Sequence, residues 1–174
     1  MSAVRIAPAP LVDLMVQALA MERAAVSRYT ALADVMEVHN NRPVEALFRK
    51  MAVIEERHAQ EIMTEMGWKD EAAVPKAARD PSAPEAPESV PEDLVHYLMW
   101  PWHALQLALA AEQRAEAFFS HLVQDAADDR VREAATRLRD EEREHVALVK
   151  AWLDRTPEPG TDWDDDPDQP RYVD

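Results

Sequence analysis

The chain contains four stretches in which apolar residues recur at alternating spacings of three and four. This spacing is typical of an α-helix that buries one face. Proline, which cannot lie inside a helix without the loss of a hydrogen bond, is missing from residues 11–42, 44–74 and 102–156. The pattern therefore predicts one long helix in each of the first two windows and two helices in the third.

Turn and cap residues divide these windows into two helical hairpins. Residues 39–43 carry a turn signal that ends in proline, a residue suited to the first turn of the next helix. Gly67 is a natural C-terminal cap for the second helix. Pro101 can open the third helix, and residues 124–129 suit a turn whose aspartates can cap the fourth. Short turns make the helices of each hairpin antiparallel.

A proline-rich connection of about 25 residues, from Trp68 to Glu92, joins the two hairpins. An extended chain covers roughly 3.3 Å per residue, which is enough to run the length of a bundle. We expect the third helix to begin at the same end as the first, as in bundles with one long crossover. The predicted fold is an all-α four-helix bundle over residues 1–155, followed by an irregular acidic tail over residues 156–174.

Each predicted apolar stripe carries a carboxylate near its middle, where a buried ionised group without a partner is costly. Two stripes also carry a histidine three residues later, on the same helix face. Counted from the two turns at a rise of about 1.5 Å per residue, all of these residues lie at nearly the same height. They are Glu22, Glu55 and His58 in the first hairpin, and Glu112, Glu142 and His145 in the second.

Four carboxylates and two imidazoles at one level of a core are explained by two divalent metal ions, which supply the missing positive charge. Oxygen and imidazole ligands together favour iron or manganese, whereas zinc would not need six ligands. The alternative is a bundle in which surface glutamates and histidines fall on the stripes by chance. The two hairpins repeat the same pattern, which indicates the duplication of one hairpin.

These residues resemble the ligand set of the ferritin-like di-iron carboxylate superfamily, in which two helices each give a Glu and two give Glu-x-x-His. The spacing is most similar to the rubrerythrin and bacterioferritin branch, over residues 11–155. The resemblance implies a ferritin-like bundle with two iron ions. It implies that Glu55 and Glu142 bridge or chelate the metals, that Glu22 and Glu112 are terminal or bridging ligands, and that His58 and His145 each bind one metal.

The chain departs from the rubrerythrin pattern at two points. Rubrerythrins carry a further Glu three residues after the third-helix Glu, where this chain has Ala115. Glu116, one position on, is either a seventh ligand, an iron entry residue or an ordinary exposed partner of an arginine. The chain also has no cysteine, so the self-contained electron relay of a rubrerythrin with a rubredoxin part is absent, and the alternatives are an external electron donor or simple iron oxidation. Tyr29 is either redox-active, a support for a ligand, or an ordinary core tyrosine.

The resemblance implies an oxidoreductase of the ferroxidase or peroxidase type, which oxidises Fe(II) with O₂ or hydrogen peroxide. The alternatives are a di-iron oxygenase, a manganese catalase, or a non-catalytic metal-binding or scaffold protein. A net charge of −15 disfavours nucleic acid and anionic membrane surfaces as partners. The first ten residues do not read as a signal peptide, so we expect a cytoplasmic protein. A second apolar face, with Leu14, Leu19 and Val26, favours a homo-oligomer.

Overall fold

The computed structural model describes residues 9–76 and 99–160, whose regular structure is helical. The predicted four-helix bundle is confirmed: α1 pairs with α2, and α3 pairs with α4. A short 3₁₀ helix follows α2 at Glu71–Ala73. The four long helices are α1 at Ala9–Val38, α2 at Arg42–Met66, α3 at Pro101–Asp125 and α4 at Asp129–Leu153.

The predicted turns end and start the helices as the sequence indicates. The side chain of Asn41 accepts a hydrogen bond of 3.1 Å from the Val44 amide at the start of α2. Gly67 ends α2 in the left-handed conformation, with φ of 70°, which favours glycine. Asp128 caps α4 by accepting from the Arg130 amide at 2.8 Å. Such N-caps each contribute about 1 kcal/mol to stability.

The apolar core consists of two clusters, one toward each end of the bundle. Cluster I contains the second half of α1, the start of α2, the start of α3 and the end of α4, for example Met36, Phe48 and Leu105. Cluster II contains the opposite parts of the same helices, for example Met15, Ile62 and Phe119. Both clusters bury their large side chains almost completely. Together they hold the four helices in one body.

A layer of buried polar residues separates the two clusters. On every helix, the residues of one cluster precede this layer and those of the other cluster follow it. The shared height that the sequence predicts is therefore confirmed. The layer contains Glu22, Glu55, His58, Glu112, Glu142 and His145.

The direction of the second hairpin differs from the expectation. Met99 and the first turns of α3 pack into cluster I, next to the turn between α1 and α2. Val74, after the end of α2, packs against cluster II. The expectation that α3 begins at the same end as α1 is therefore wrong. The end of α2 therefore lies beside the start of α1, at the opposite end of the bundle from the start of α3.

Two of the sequence predictions concern segments that the structure does not describe. Residues 77–98, most of the predicted connection, and residues 161–174, most of the predicted tail, lie outside the described residues.

Leu14 and Leu19, which the sequence suggested for an oligomer contact, are buried inside the single chain, whereas Val26 is partly exposed. None of the helices within residues 9–76 and 99–160 has the length and apolarity that crossing a membrane requires.

Candidate metal centre

The structure brings together all six residues that the sequence proposes as metal ligands. Their exposed fractions range from 1% for Glu55 to 9% for His58. Three overlapping groups of Glu and His place one potential ligand atom from each member within 4.8 Å of the others. Burial of four carboxylates at one level requires compensating positive charge, since each alone would be strongly destabilising.

Glu55 lies between the two histidines and turns one carboxylate oxygen toward each. Its Oε1 is 3.2 Å from Nδ1 of His145, and its Oε2 is 3.6 Å from Nδ1 of His58. The two imidazole rings stack with their centroids 5.4 Å apart and their planes at 8°. This arrangement divides the site into two halves that share Glu55.

The enclosed half contains His145, Glu112 and Glu142, together with Arg28 and Tyr29. Nδ1 of His145 lies 3.4 Å from Glu112 Oε2 and 3.7 Å from Glu142 Oε2. The other oxygen of Glu112, Oε1, accepts a hydrogen bond of 2.8 Å from Nη2 of Arg28 and a short one from the Tyr29 hydroxyl. Glu112 therefore presents only Oε2 to the histidine.

The open half contains Glu22, His58 and Glu141. Nδ1 of His58 lies 3.8 Å from Glu22 Oε2, and Glu141 completes a group of three potential ligands. A cavity of about 180 Å³ between α2 and α4 reaches His58. Its lining is mostly charged, because it includes Glu61, Glu65, Arg137 and Glu141 beside Ile62 and Leu138.

In the enclosed half, the neighbouring charges favour the ionised forms of Glu112 and His145 despite their burial. Burial alone would raise the pKa of Glu112, but the imidazole of His145 and the guanidinium of Arg28 outweigh it and lower that pKa to about 2. Burial alone would lower the pKa of His145, but the carboxylates of Glu112, Glu142 and Glu55 raise it to about 11. Burial and the charge of Glu112 raise the pKa of Tyr29 well above its usual value, so its hydroxyl keeps the proton that it donates.

Two buried atoms of the layer fit a metal ion. Within the part of the chain that the structure describes, neither Glu55 Oε1 nor His145 Nδ1 has a hydrogen-bond partner. Buried polar atoms are nearly always hydrogen-bonded, and each exception calls for an explanation such as an ion. A carboxylate oxygen and an imidazole nitrogen that face each other at 3.2 Å are ligands that iron and manganese accept. The residues present therefore fit the metal that the sequence suggests.

The structure also places the residues about which the sequence left alternatives open. Glu116 pairs with Nε of Arg143 at 2.8 Å and belongs to none of the three ligand groups among the described residues. Tyr29 is fully buried and donates to a predicted ligand, as a supporting tyrosine would.

Sequence reasoning did not single out Arg28, and it did not propose Glu141 as a ligand. Glu141 precedes a predicted ligand and looks like a solvated neighbour, although burial raises its pKa. The only signal for Arg28 is its position directly before Tyr29, at the edge of the stripe that carries Glu22.

Comparisons with known proteins agree with this arrangement. The profile of the rubrerythrin family matches residues 13–153. The chain is also similar to the crystal structure of an uncharacterised conserved protein from Magnetospirillum magnetotacticum MS-1, with a TM-score of 0.72 and 31% sequence identity. That similarity covers 86% of this chain and 97% of the other. No curated protein matches the chain.

Proposed function

Since the chain belongs to the rubrerythrin family, we propose that it is a dinuclear non-haem iron protein that oxidises Fe(II) with O₂ or hydrogen peroxide. The observation that carries the proposal is the buried layer, in which Glu55 faces both histidines and two polar atoms lack partners among the described residues. Chains of this ferritin-like fold use such Glu and His residues to hold iron.

Six residues would hold the metals, and each half of the layer would supply one imidazole. Two bound iron ions would supply the electrons that reduce O₂ or peroxide. With Fe(II) as the substrate, the reduction of one hydrogen peroxide to two waters would require two ferrous ions, one electron from each, and two protons. The ligands are Glu22, Glu55, Glu112, Glu142, His58 and His145.

The protein's own residues bind, orient and shield this site. The four carboxylates offset the charge of the cations, and Glu55 can serve both halves because its oxygens point in two directions. Arg28 and Tyr29 hold Glu112 in place through its Oε1. Clusters I and II cover the layer from both ends and exclude bulk water.

The cavity beside His58 favours a small or ionic substrate over an organic one. An oxygenase that acts on an organic molecule needs an apolar pocket next to its metals. The cavity described here is small, at about 180 Å³, and four of its seven lining residues are Glu or Arg. These side chains suit Fe(II) or hydrogen peroxide. Because the chain has no cysteine, peroxide turnover beyond the first electrons would draw on an external donor.

Metal analysis followed by an Fe(II) oxidation assay tests the proposal. Protein from iron-rich culture should contain iron and should oxidise added Fe(II) faster than buffer does. Glu55→Gln should lose both properties, because the negative charge is lost and one of the two oxygens, each of which faces one histidine, becomes an amide NH₂ that cannot bind a metal. Glu56→Gln, at the exposed neighbouring position, is the matched control and should keep both.

Other outcomes would assign the site differently. Manganese in the purified protein, with O₂ release from peroxide and no added reductant, would identify a manganese catalase. Stoichiometric metal binding without Fe(II) oxidation or peroxide turnover would identify a non-catalytic metal-binding protein. Absence of bound metal in the wild-type protein would contradict the proposal altogether.

A further inference from the structure

We propose that Arg28 is a built-in counter-charge of the metal centre, which supports the carboxylates before metal binds and weakens the binding of the cation beside Glu112. The inference rests on the proposed function, since it concerns the same site. It makes Arg28 an affinity-determining residue, whose role is to keep one of the two cations exchangeable.

The position of Arg28 is the first support. Its side chain is 5% exposed and that of Glu112 is 2% exposed, so the ion pair between them lies inside the bundle. The contact is a hydrogen bond of 2.8 Å from Nη2 to Glu112 Oε1. The guanidinium also lies 4.9 Å from the centre of the Tyr29 ring, which holds it in place from the side.

The positive charge of Arg28 has opposite effects on the site before and after a metal ion binds. Before metal binds, Arg28 offsets part of the negative charge of the carboxylates, and its loss would leave Glu112 less well compensated. After metal binds, the same positive charge repels the cation, and this repulsion is strong because burial reduces screening. A residue with this role stabilises the metal-free fold and lowers the affinity for metal.

Among the described residues, a buried arginine is present in one half of the site only. Arg28 and Tyr29 lie six and seven residues after Glu22, and the residues at the same spacing after Glu112 are Phe118 and Phe119. Neither phenylalanine can donate a hydrogen bond or carry a charge. The duplicated ligand pattern therefore has a buried arginine in the enclosed half, whereas Arg137 beside the open half is exposed and pairs with Glu65.

Three substitutions separate the charge of Arg28 from its hydrogen bond and its packing. Arg28→Gln removes the charge and keeps a donor, whereas Arg28→Lys keeps the charge. Tyr29→Phe removes the neutral donor to the same oxygen of Glu112. Arg143→Gln is the matched control, because it removes an arginine from a partly exposed ion pair with Glu116.

The experiment titrates Co(II) into the metal-free full-length variants and follows the visible spectrum of the bound ion, with thermal unfolding measured in parallel. Arg28→Gln should bind one of the two Co(II) ions about tenfold more tightly or better, as expected for removal of a buried like charge. The same variant should unfold at a lower temperature without metal. Arg28→Lys and Arg143→Gln should stay within about threefold of the wild-type affinity. Tyr29→Phe, which removes a donor that holds Glu112, should bind no more tightly than the wild type.

Equal or weaker binding by Arg28→Gln would overturn the inference, as would a similar gain in affinity for Arg28→Lys. A purely structural role would lower the unfolding temperature without raising affinity. If Arg28→Gln does not fold, Glu112→Gln is compared with the double variant Arg28→Gln/Glu112→Gln: tighter Co(II) binding by the double variant supports the counter-charge, and equal binding overturns it. A wild-type protein that binds no Co(II) would refute the proposed function as well, whereas failure of Arg28→Gln alone leaves that function intact.

Discussion

The two halves of the buried layer contain the same kinds of ligand in different surroundings. In the enclosed half, His145 faces three carboxylates, and Arg28 and Tyr29 hold Glu112 from behind. In the open half, His58 borders a cavity that is lined by exposed glutamates, and Glu141 is an additional potential ligand. A duplicated ligand pattern therefore does not imply two equal sites, because the neighbours of the ligands were not duplicated.

The largest expected effect comes from removing one histidine at a time. His145→Ala and His58→Ala should each lose about one metal ion per chain, because each imidazole belongs to a different half. Remaining Mn(II) affinity, measured by equilibrium dialysis with metal analysis, should identify the half that is left. His121→Ala is the control, because His121 is exposed and should leave metal content unchanged. Equal loss of both ions in either histidine variant would contradict two separable halves.

Glu141 provides a sharper test of the open half. Glu141→Gln should weaken binding of one Mn(II) by about tenfold. This is the lower end of the range, about 10- to 100-fold, over which residues that support a metal ligand change the metal affinity. Glu144→Gln, at an exposed position on the same helix, should have no such effect. Stopped-flow mixing with Fe(II) should also show slower uptake in Glu141→Gln. Unchanged affinity and unchanged uptake would remove Glu141 from the site.

The enclosed half should respond to pH through His145. Its pKa is raised to about 11, so the ring is charged at neutral pH and must lose a proton before it can bind metal. We expect proton release on Mn(II) binding, measured by calorimetry in buffers of different ionisation enthalpy. Since the folded pKa is above the ordinary value, the charged ring stabilises the metal-free fold below about pH 6.5, and this contribution is lost as the pH rises through about 11. Metal binding without proton release would contradict this account.

The smallest effect is expected for Glu116. Glu116→Gln should leave metal content and Fe(II) oxidation unchanged, because the side chain pairs with Arg143. Its loss should change the free energy of unfolding by at most about 1 kcal/mol, as for other exposed ion pairs. Metal analysis and thermal unfolding measure both quantities. A loss of one ion in Glu116→Gln would place this residue in the open or the enclosed half after all.

Much of the fold was predictable because helices follow local rules. Apolar periodicity predicts where the helices lie. Gly67 predicts the end of α2 and Asp128 predicts the start of α4, and the structure confirms both positions. The shared level of the six polar residues was also predictable, since it depends only on the count from each turn and the helical rise. These are properties of single helices and single hairpins.

The remaining features depend on contacts between hairpins. The orientation of α3 was predicted wrongly, because the composition of a connection does not say which end of the bundle it reaches. Arg28 was missed because an arginine at the edge of the apolar stripe of a helix resembles a surface residue, and only the approach of α3 makes it the partner of Glu112. Leu14 and Leu19 were assigned to an oligomer contact, although the chain buries both in its own core cluster.

Crystals of the protein loaded with Fe(II) under anaerobic conditions provide the most direct test of the account, through anomalous diffraction measured at the iron edge. We expect two peaks inside the bundle, one beside His145 and one beside His58, with Glu55 between them. Peaks confined to the acidic surface, or none in the layer between clusters I and II, would contradict the dinuclear site.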